Sequence, residues 1–133
     1  MPYTFDYDPV NRILRCRLSG GVGDELLREF FRAGADHAIL TNPSAGVVDL
    51  SDVDSFDVSS RAIEELAKAQ PVLSNPNLRR IVIAPASDVY GMMRMFEMEG
   101  EQVRPGLHVV RSEQEAWAIL GVLHPRFEPL ETN

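Results

Sequence analysis

The residues best suited to chemistry lie in one short stretch, residues 46–63, with the sequence GVVDLSDVDSFDVSSRAI. Four carboxylates lie within or just after an apolar run, and a pair of serines follows where a helix would begin. These residues are Asp49, Asp52, Asp54 and Asp57, then Ser59 and Ser60. Hard divalent cations prefer several oxygen ligands from one turn, and a serine at a helix start can carry a phosphate. Cation binding and phosphorylation are therefore the two chemistries to weigh.

The spacing of the acidic residues argues against a metal site. It lacks the glycine and the distal glutamate of a calcium loop, and it lacks the D-x-D that phosphotransferases place directly after a strand. A solvated acidic turn over residues 49–57 is the favoured interpretation, with Asp57 as an alternative helix cap. We expect neither a metal site nor a cofactor.

Ser59 is first of all a predicted N-cap, because its hydroxyl can accept a hydrogen bond from an otherwise unpaired amide and contribute about 1 kcal/mol. A phosphate on the same hydroxyl would gain from the helix dipole. It would also lie near Asp52, Asp54 and Asp57, with Arg61 the nearby cation in sequence. Phosphorylation of Ser59, acting as a release switch through charge repulsion, is the alternative to the cap.

A strand hairpin is predicted at the N-terminus. Apolar and polar residues alternate over residues 3–7 and 14–18, on either side of a D-P-V-N turn. The second strand carries Arg15 and Arg17 on one face, which we expect to be wet, and Cys16 on the apolar face. A buried, unreactive thiol is therefore expected at Cys16.

Amphipathic helices follow, separated by apolar runs typical of central strands. The segment SGGVGDELL lacks the lysine and the glycine spacing of a phosphate-binding loop, so Asp24 is predicted to cap the first helix, which should end before Asn42. The runs at residues 47–50 and 81–84 predict buried strands. A last strand at 107–110 precedes an S-E-Q-E capping box and a fourth helix.

The third predicted helix has apolar residues around more of its circumference than one core-facing stripe requires. Its candidate apolar surface comprises Tyr90, Met92, Met93, Met95 and Phe96. Burial by its own sheet is one interpretation. A homodimer contact and a pocket for a small apolar ligand are the alternatives, because methionine adapts its shape to varied partners.

Together these elements predict a single-layer, five-stranded, mixed but mainly parallel sheet with four helices, in the α/β class. Residues 1–121 form one domain, and residues 122–133 form a loosely ordered C-terminal tail. Ligands of such sheets bind beyond the carboxyl ends of the strands, which places the loops after Leu50, Ala84 and Arg111 at the functional edge.

The composition argues against two classes of binding partner. The 133 residues carry a net charge of -7, which repels nucleic acid and anionic membranes. A single cysteine and an N-terminus without a signal segment indicate a cytoplasmic protein, and no membrane span is expected. The three histidines are too scattered to suggest a triad.

The segment DLSDVDSFDVSSRAI resembles the strand-loop-helix signature of STAS domains, in which D-L-S-x-V leads through F/I-D-S-S-G into a helix. The matching positions are Asp49, Leu50, Ser51, Val53, Asp57 and Ser59. Ser59 matches the serine that is phosphorylated in anti-sigma factor antagonists, whereas Val58 and Ser60 replace a serine and a glycine of that signature. The segments IAPASDVYGMMRMFEMEGE and VVRSEQEAWAIL are similar to the SpoIIAA-like branch, which is grouped with SEC14 or CRAL-TRIO-like lipid-binding domains.

This resemblance implies a non-enzymatic regulatory or protein-interaction module of STAS/SpoIIAA-like type. No nucleophile in the sequence has an identifiable base, which agrees with that class. The candidate regulatory residue is Ser59, and the candidate partner-binding edge comprises Asp52, Asp54, Asp57, Ser60 and Arg61. The alternative function is a binding domain for a small, lipid-like hydrophobic ligand.

Overall fold

The computed structural model describes residues 2–73, 75 and 78–130, in which six strands and four helices follow one another. The elements are β1 (Tyr3–Asp8), β2 (Ile13–Gly23), α1 (Asp24–Thr41), β3 (Ala45–Asp57), α2 (Ser60–Lys68), β4 (Arg79–Ile83), α3 (Ser87–Glu99), β5 (Leu107–Val110), α4 (Glu113–Leu120) and β6 (Glu128–Pro129). The α/β class and the four predicted helices are confirmed. None of the helices in the described ranges has the length and apolar composition needed to cross a lipid bilayer.

The strands form one mixed sheet in the order β5-β4-β3-β2-β1-β6. Strands β2 to β5 are parallel neighbours, and β1 runs antiparallel to β2, which confirms the predicted hairpin. The prediction of five strands is wrong by one, because Glu128–Pro129 pairs antiparallel with Asp6 and Tyr7. A two-residue strand that contains proline has no alternation by which a sequence pattern could find it.

Helices cover both faces of the sheet. Alternate residues of β4 point to opposite sides, so Val82 packs in the core under α1, α2 and α3, while Ile81 and Ile83 pack under α4. On that second side Ala116 of α4 is fully buried. The central strands are therefore apolar on both faces, as the uninterrupted runs predicted.

The face of β2 that carries Arg15 and Arg17 is predicted to be wet, but it is covered at Arg15, while the side chain of Arg17 is 40% exposed. Arg15 donates two hydrogen bonds to the Asp6 carboxylate, at 2.9 and 2.8 Å, and Arg17 donates a third at 2.9 Å. The guanidinium carbon of Arg15 lies 3.9 Å from the ring centre of Phe127, which follows α4. The side chain of Arg15 is only 12% exposed, because residues after α4 return across this face. Sequence alternation identifies the polar face but not the segment that covers it.

The segment after α4 is bonded to the first hairpin. The amide of Arg126 donates to the Asp8 carboxylate at 3.2 Å, and the amide of Leu130 donates to the carbonyl of Phe5 at 2.9 Å. Within the segment predicted to be a tail, Glu128 and Pro129 thus pair with the sheet, and residues 131–133 lie outside the described part.

The apolar helix α3 is mainly a core helix. Met93 and Phe96 are 1% and 3% exposed, and Tyr90, Met92 and Met95 are partly buried against the same cluster. Helix α3 packs against both α2 and β5, so apolar residues on more than one side of it are covered. Met93 and Phe96 are therefore covered within the monomer.

Candidate functional site

Strand β3 extends far beyond its neighbour β4. It spans 13 residues but pairs with β4 only as far as Asp49, opposite Ile83. Its later part pairs with β2 alone, from Asp52 opposite Ser19 to Asp57 opposite Gly23. We call residues 19–23 and 52–57 the β2–β3 ribbon. The predicted acidic turn is wrong, because Asp49 lies in the fully paired part of β3 and Asp52, Asp54 and Asp57 lie on this ribbon.

Two irregularities bend the ribbon. Strand β3 advances from Asp49 to Asp52 while β2 advances from Arg17 to Ser19, which leaves one extra residue on β3. A second shift occurs opposite Gly20 and Gly21, and Gly20 has a positive φ of 80°. Bulges of this kind increase the local twist and redirect side chains. Glycine and aspartate are typical of turns, so the local sequence of residues 19–23 and 52–57 favours a loop. Pairing between the two segments outweighs this local preference and makes them strands.

The acidic side chains of the ribbon face solvent. Asp52, Asp54 and Asp57 are exposed, whereas Asp49 is 5% exposed and accepts hydrogen bonds from the amide and hydroxyl of Ser51, at 3.0 and 2.6 Å. Across the described ranges, no three His, Cys, Asp or Glu side chains are grouped closely enough to hold a metal ion. The ribbon therefore presents negative charge without a formed cation site.

Ser59 is the N-cap of α2. Its backbone is extended, with φ −75° and ψ 152°, and its hydroxyl oxygen accepts a hydrogen bond from the amide of Ala62 at 3.1 Å. This confirms the predicted cap. Ser60 and Arg61 follow as exposed residues of the first turn, and Arg61 Nε lies 3.6 Å from Glu65 Oε1. Arg61 is thus directed along its own helix.

A carboxylate from another element, that of Asp24, also bonds to Ser59. Asp24 was expected to cap α1, but Gly23 occupies that position without a side-chain bond. Asp24 Oδ1 accepts from the amide of Ser59 and Oδ2 accepts from its hydroxyl, both at 2.8 Å. The hydrogen bond from the Ser59 amide, followed by that from its hydroxyl, lowers the pKa of Asp24. Nothing local in the sequence signals this contact, which requires Gly23 to be paired with Asp57.

The hydroxyl of Ser59 donates a hydrogen bond to Asp24 and accepts one from the amide of Ala62. A carboxylate with a lowered pKa is a weak general base near neutral pH. The arrangement is therefore suited to holding two chain segments together and to responding to added charge, and it offers little for nucleophilic catalysis.

Both outer edges of the ribbon are open beyond Ser19 in the described part of the chain. The amide of Ser19 donates to the carbonyl of Pro2 at 2.8 Å, β1 pairs with β2 only up to Leu18, and β4 pairs with β3 only up to Asp49. An open strand edge presents unpaired amide and carbonyl groups, to which another chain can add a strand. The ribbon edge is thus a candidate protein-binding surface.

A second candidate site is a cavity of about 470 Å³ between α1 and the end of α2. Its floor is formed by the sheet, including Leu14 and Val82, and Phe96 of α3 closes one side. Tyr90, Met92, Met93 and Met95 do not line it. Phe96 is therefore the residue of the candidate apolar surface on α3 that contacts the cavity.

Comparison with solved structures finds the anti-sigma factor antagonist SpoIIAA in its unphosphorylated form, with a TM-score of 0.54 over 86% of this chain and 93% of that chain. The fold is that of SpoIIAA. The sequence identity to SpoIIAA is 13%, so the likeness concerns the fold. A scan against protein-family models finds no match, and a search of curated proteins finds none. The SpoIIAA fold confirms the α/β architecture that the sequence resemblance implied.

Proposed function

We propose that this chain is a non-enzymatic regulatory module that acts in the cytoplasm by binding a protein partner. The proposed binding surface is the open β2–β3 ribbon together with the start of α2. It comprises Asp52, Asp54, Asp57, Ser60 and Arg61, next to Ser59. The single observation that carries this proposal is the projection of β3 past β4, which leaves a long strand edge open and its acidic side chains in solvent.

The chemistry of the surface favours a partner segment with basic residues. Asp52, Asp54 and Asp57 are exposed, and the nearby cation Arg61 is directed toward Glu65. An extended segment that adds to the open edge would gain main-chain hydrogen bonds, while basic side chains would meet the carboxylates. The net charge of -7 would steer such a partner at long range.

We propose Ser59 as the regulatory residue of this surface. A phosphate on its hydroxyl would add up to two negative charges where the hydroxyl now donates to Asp24. The resulting repulsion would open the contact between the ribbon end and α2, so modification would release a partner. Incubation with a cognate kinase followed by mass spectrometry tests the modification, and an unmodified Ser59 would contradict it.

A second candidate function is binding of a small apolar ligand, and the cavity beside α1 is the observation that favours it. A homodimer through α3 has less support, because two of its five candidate residues, Met93 and Phe96, are buried in the monomer.

A pull-down from the native cell with matched charge-reversal variants tests the protein-binding function. We expect the double variant Asp52→Lys, Asp54→Lys to lose partners that the unmodified chain captures. The control is Glu99→Lys, Glu101→Lys, which makes the same change in charge at exposed positions at the far end of α3. Equal capture by both double variants would show that the ribbon does not recognise the partner.

A further inference from the structure

The cavity beside α1 has a definite entrance. Three of the residues that line it are exposed, namely Arg32 on α1 and Ala69 and Gln70 just after α2. The other end is formed by buried residues of the sheet and α3, such as Leu14 and Phe96. The space is thus a cleft that opens between α1 and the end of α2 and narrows onto an apolar floor. Its volume of about 470 Å³ lies in the range of small-molecule pockets, roughly 300 to 1,000 Å³.

A glycine inside α1 contributes to this space. Gly34 lines the cavity, and a methyl group added there would meet its nearest neighbours, Cys16 Sγ and Phe5, at the ordinary contact distances of 3.6 and 3.7 Å. Packing therefore does not require glycine at this position. Helix stability does not favour it either, because glycine within a helix is less favourable than alanine by about 1 kcal/mol. Without a side chain, Gly34 leaves more room beside α1.

Among the residues that the structure describes, all the charged side chains that line the cleft are arginines. They are Arg28, Arg32, Arg80 and Arg104, and no described aspartate or glutamate lines the cleft. The chain as a whole has 20 acidic and 13 basic side chains. A cavity with only positive charge in an acidic protein is electrostatically complementary to an anion.

Two of these cations are buried, since Arg80 and Arg104 are 6% and 7% exposed. The guanidinium of Arg104 donates to the carbonyls of Leu66, Ala67 and Ala69 at the end of α2, at 3.1, 2.8 and 3.2 Å. Burial, with a further contribution from the positive charge of Arg80, lowers the pKa of Arg104 to about 10. Arg104 therefore stays protonated at neutral pH, and its charge acts on the cleft through a medium of low polarity.

Two arginines one helical turn apart stand on the α1 side of the cleft. Arg28 is engaged by Glu25 at 2.8 Å and by Glu65 at 3.1 Å. Arg32 is exposed, and none of the ion pairs formed within the described ranges includes it. Arg32 is therefore the lining cation best placed to bind an anionic group that enters from solvent.

We propose that this cleft binds a single-chain anionic amphiphile, a long-chain carboxylate, with its alkyl chain on the apolar floor and its carboxylate against Arg32 at the entrance. The apolar interior selects for the chain, since burial of each methylene is worth about 0.8 kcal/mol. The arginines select for the acid, because they favour an anion and disfavour a cation of equal length. This proposal names the ligand class for the cavity and does not depend on the β2–β3 ribbon.

Calorimetric titration with three probes of equal chain length tests the proposal. Each probe is kept below its critical micelle concentration. Dodecanoate should bind more tightly than dodecanol, and dodecyltrimethylammonium should bind most weakly. Arg32→Glu should weaken dodecanoate about tenfold, as expected for loss of a hydrogen bond to a charged group, and should leave dodecanol unchanged. Arg94→Glu, the same change at an exposed position on α3 outside the cavity lining, should leave all three affinities unchanged.

A blocking variant locates the binding. Ala35 lines the cleft and is partly exposed, so Ala35→Trp can fill the entrance without enlarging a side chain in the closed core. It should abolish dodecanoate binding while circular dichroism and thermal unfolding remain close to those of the unmodified chain. Failure of dodecanoate to bind the unmodified chain, equal binding of the three probes, or full binding by Ala35→Trp would each overturn the proposal.

Discussion

The carboxylate of Asp24 holds Ser59 with both of its oxygens, one on the backbone amide and one on the hydroxyl, each at 2.8 Å. This contact joins the start of α1 to the start of α2. The two starts are neighbours because Gly23 and Asp57, the last residues of the ribbon, are paired. The N-cap of α2 is therefore part of the tertiary structure as well as a local feature of the helix.

The first prediction concerns the coupling of this cap. Ser59→Ala should lower the free energy of unfolding by about 1 kcal/mol through loss of the cap. Asp24→Ala should also destabilise the chain, and the two effects should be less than additive because they remove a shared hydrogen bond. Urea unfolding of both single variants and the double variant measures the coupling.

Ser112 supplies the matched control, because its hydroxyl accepts from the amide of Glu115 at 3.2 Å and caps α4 in the same way. Ser112→Ala and Asp24→Ala should be additive. If Ser59→Ala is equally additive with Asp24→Ala, the contact between Asp24 and Ser59 does not contribute to stability in solution.

The second prediction concerns added charge at the cap. Ser59→Asp and Ser59→Asn both retain a good capping residue, but only the aspartate brings a negative charge against Asp24. We expect Ser59→Asp to melt at a lower temperature than Ser59→Asn at pH 7 and low salt. Combination with Asp24→Asn, or addition of 1 M salt at which the Debye length is about 3 Å, should reduce the difference. A difference that persists unchanged in both tests would exclude repulsion by Asp24.

Much of this fold follows from local sequence patterns. Alternation over residues 3–7 and 14–18 predicts the hairpin, in which Phe5 pairs with Cys16. The N-cap at Ser59 and the capping box at Ser112 identify helix starts, because a capping side chain accepts from an amide in the first turn of its own helix. These features depend on neighbours in sequence, so a pattern can find them.

The features that were missed depend on contacts between distant segments. Glycines and aspartates are typical of turns, so local sequence predicts a turn at the ribbon, whereas pairing of residues 19–23 with residues 52–57 makes both segments strands. The role of Asp24 depends on that same pairing. Burial of Arg15 depends on the return of Phe127 across the sheet. No local pattern carries information about which segment covers another.

The third prediction concerns acid stability. Burial alone would raise the pKa of Asp6, but hydrogen bonds from Arg15 and Arg17 outweigh it and lower that pKa. Burial also opposes ionisation of Asp8, and hydrogen bonds led by those from Asn11 lower its pKa. Both folded-state pKa values thus lie below the unfolded value of about 3.9. The stabilisation is complete above that value and is lost as the pH falls through the folded-state values.

Urea unfolding at a series of pH values between 7 and 2.5 measures this loss. Stability should fall steeply below about pH 4, and Asp8→Asn should make the fall shallower, since asparagine does not titrate. An equally steep fall in the variant would show that Asp8 does not contribute to the acid transition. Asp6→Asn should lower stability already at pH 7, by about 3 kcal/mol, because it leaves Arg15 without its buried partner.

The last prediction concerns the segment after α4. The ring of Phe127 lies 3.9 Å from the Arg15 guanidinium carbon and 5.8 Å from the ring of Trp117. Phe127→Ala should cost about 2 kcal/mol through lost apolar contact and lost cation–π attraction, and it should change the near-ultraviolet circular dichroism of Trp117. Leu123→Ala, in the same segment but at a side chain that is 88% exposed, should change stability by less than about 0.5 kcal/mol. Equal, small effects of the two variants would show that the segment does not cover the sheet in solution, and Arg15 would then face water as its alternation with Cys16 first indicated.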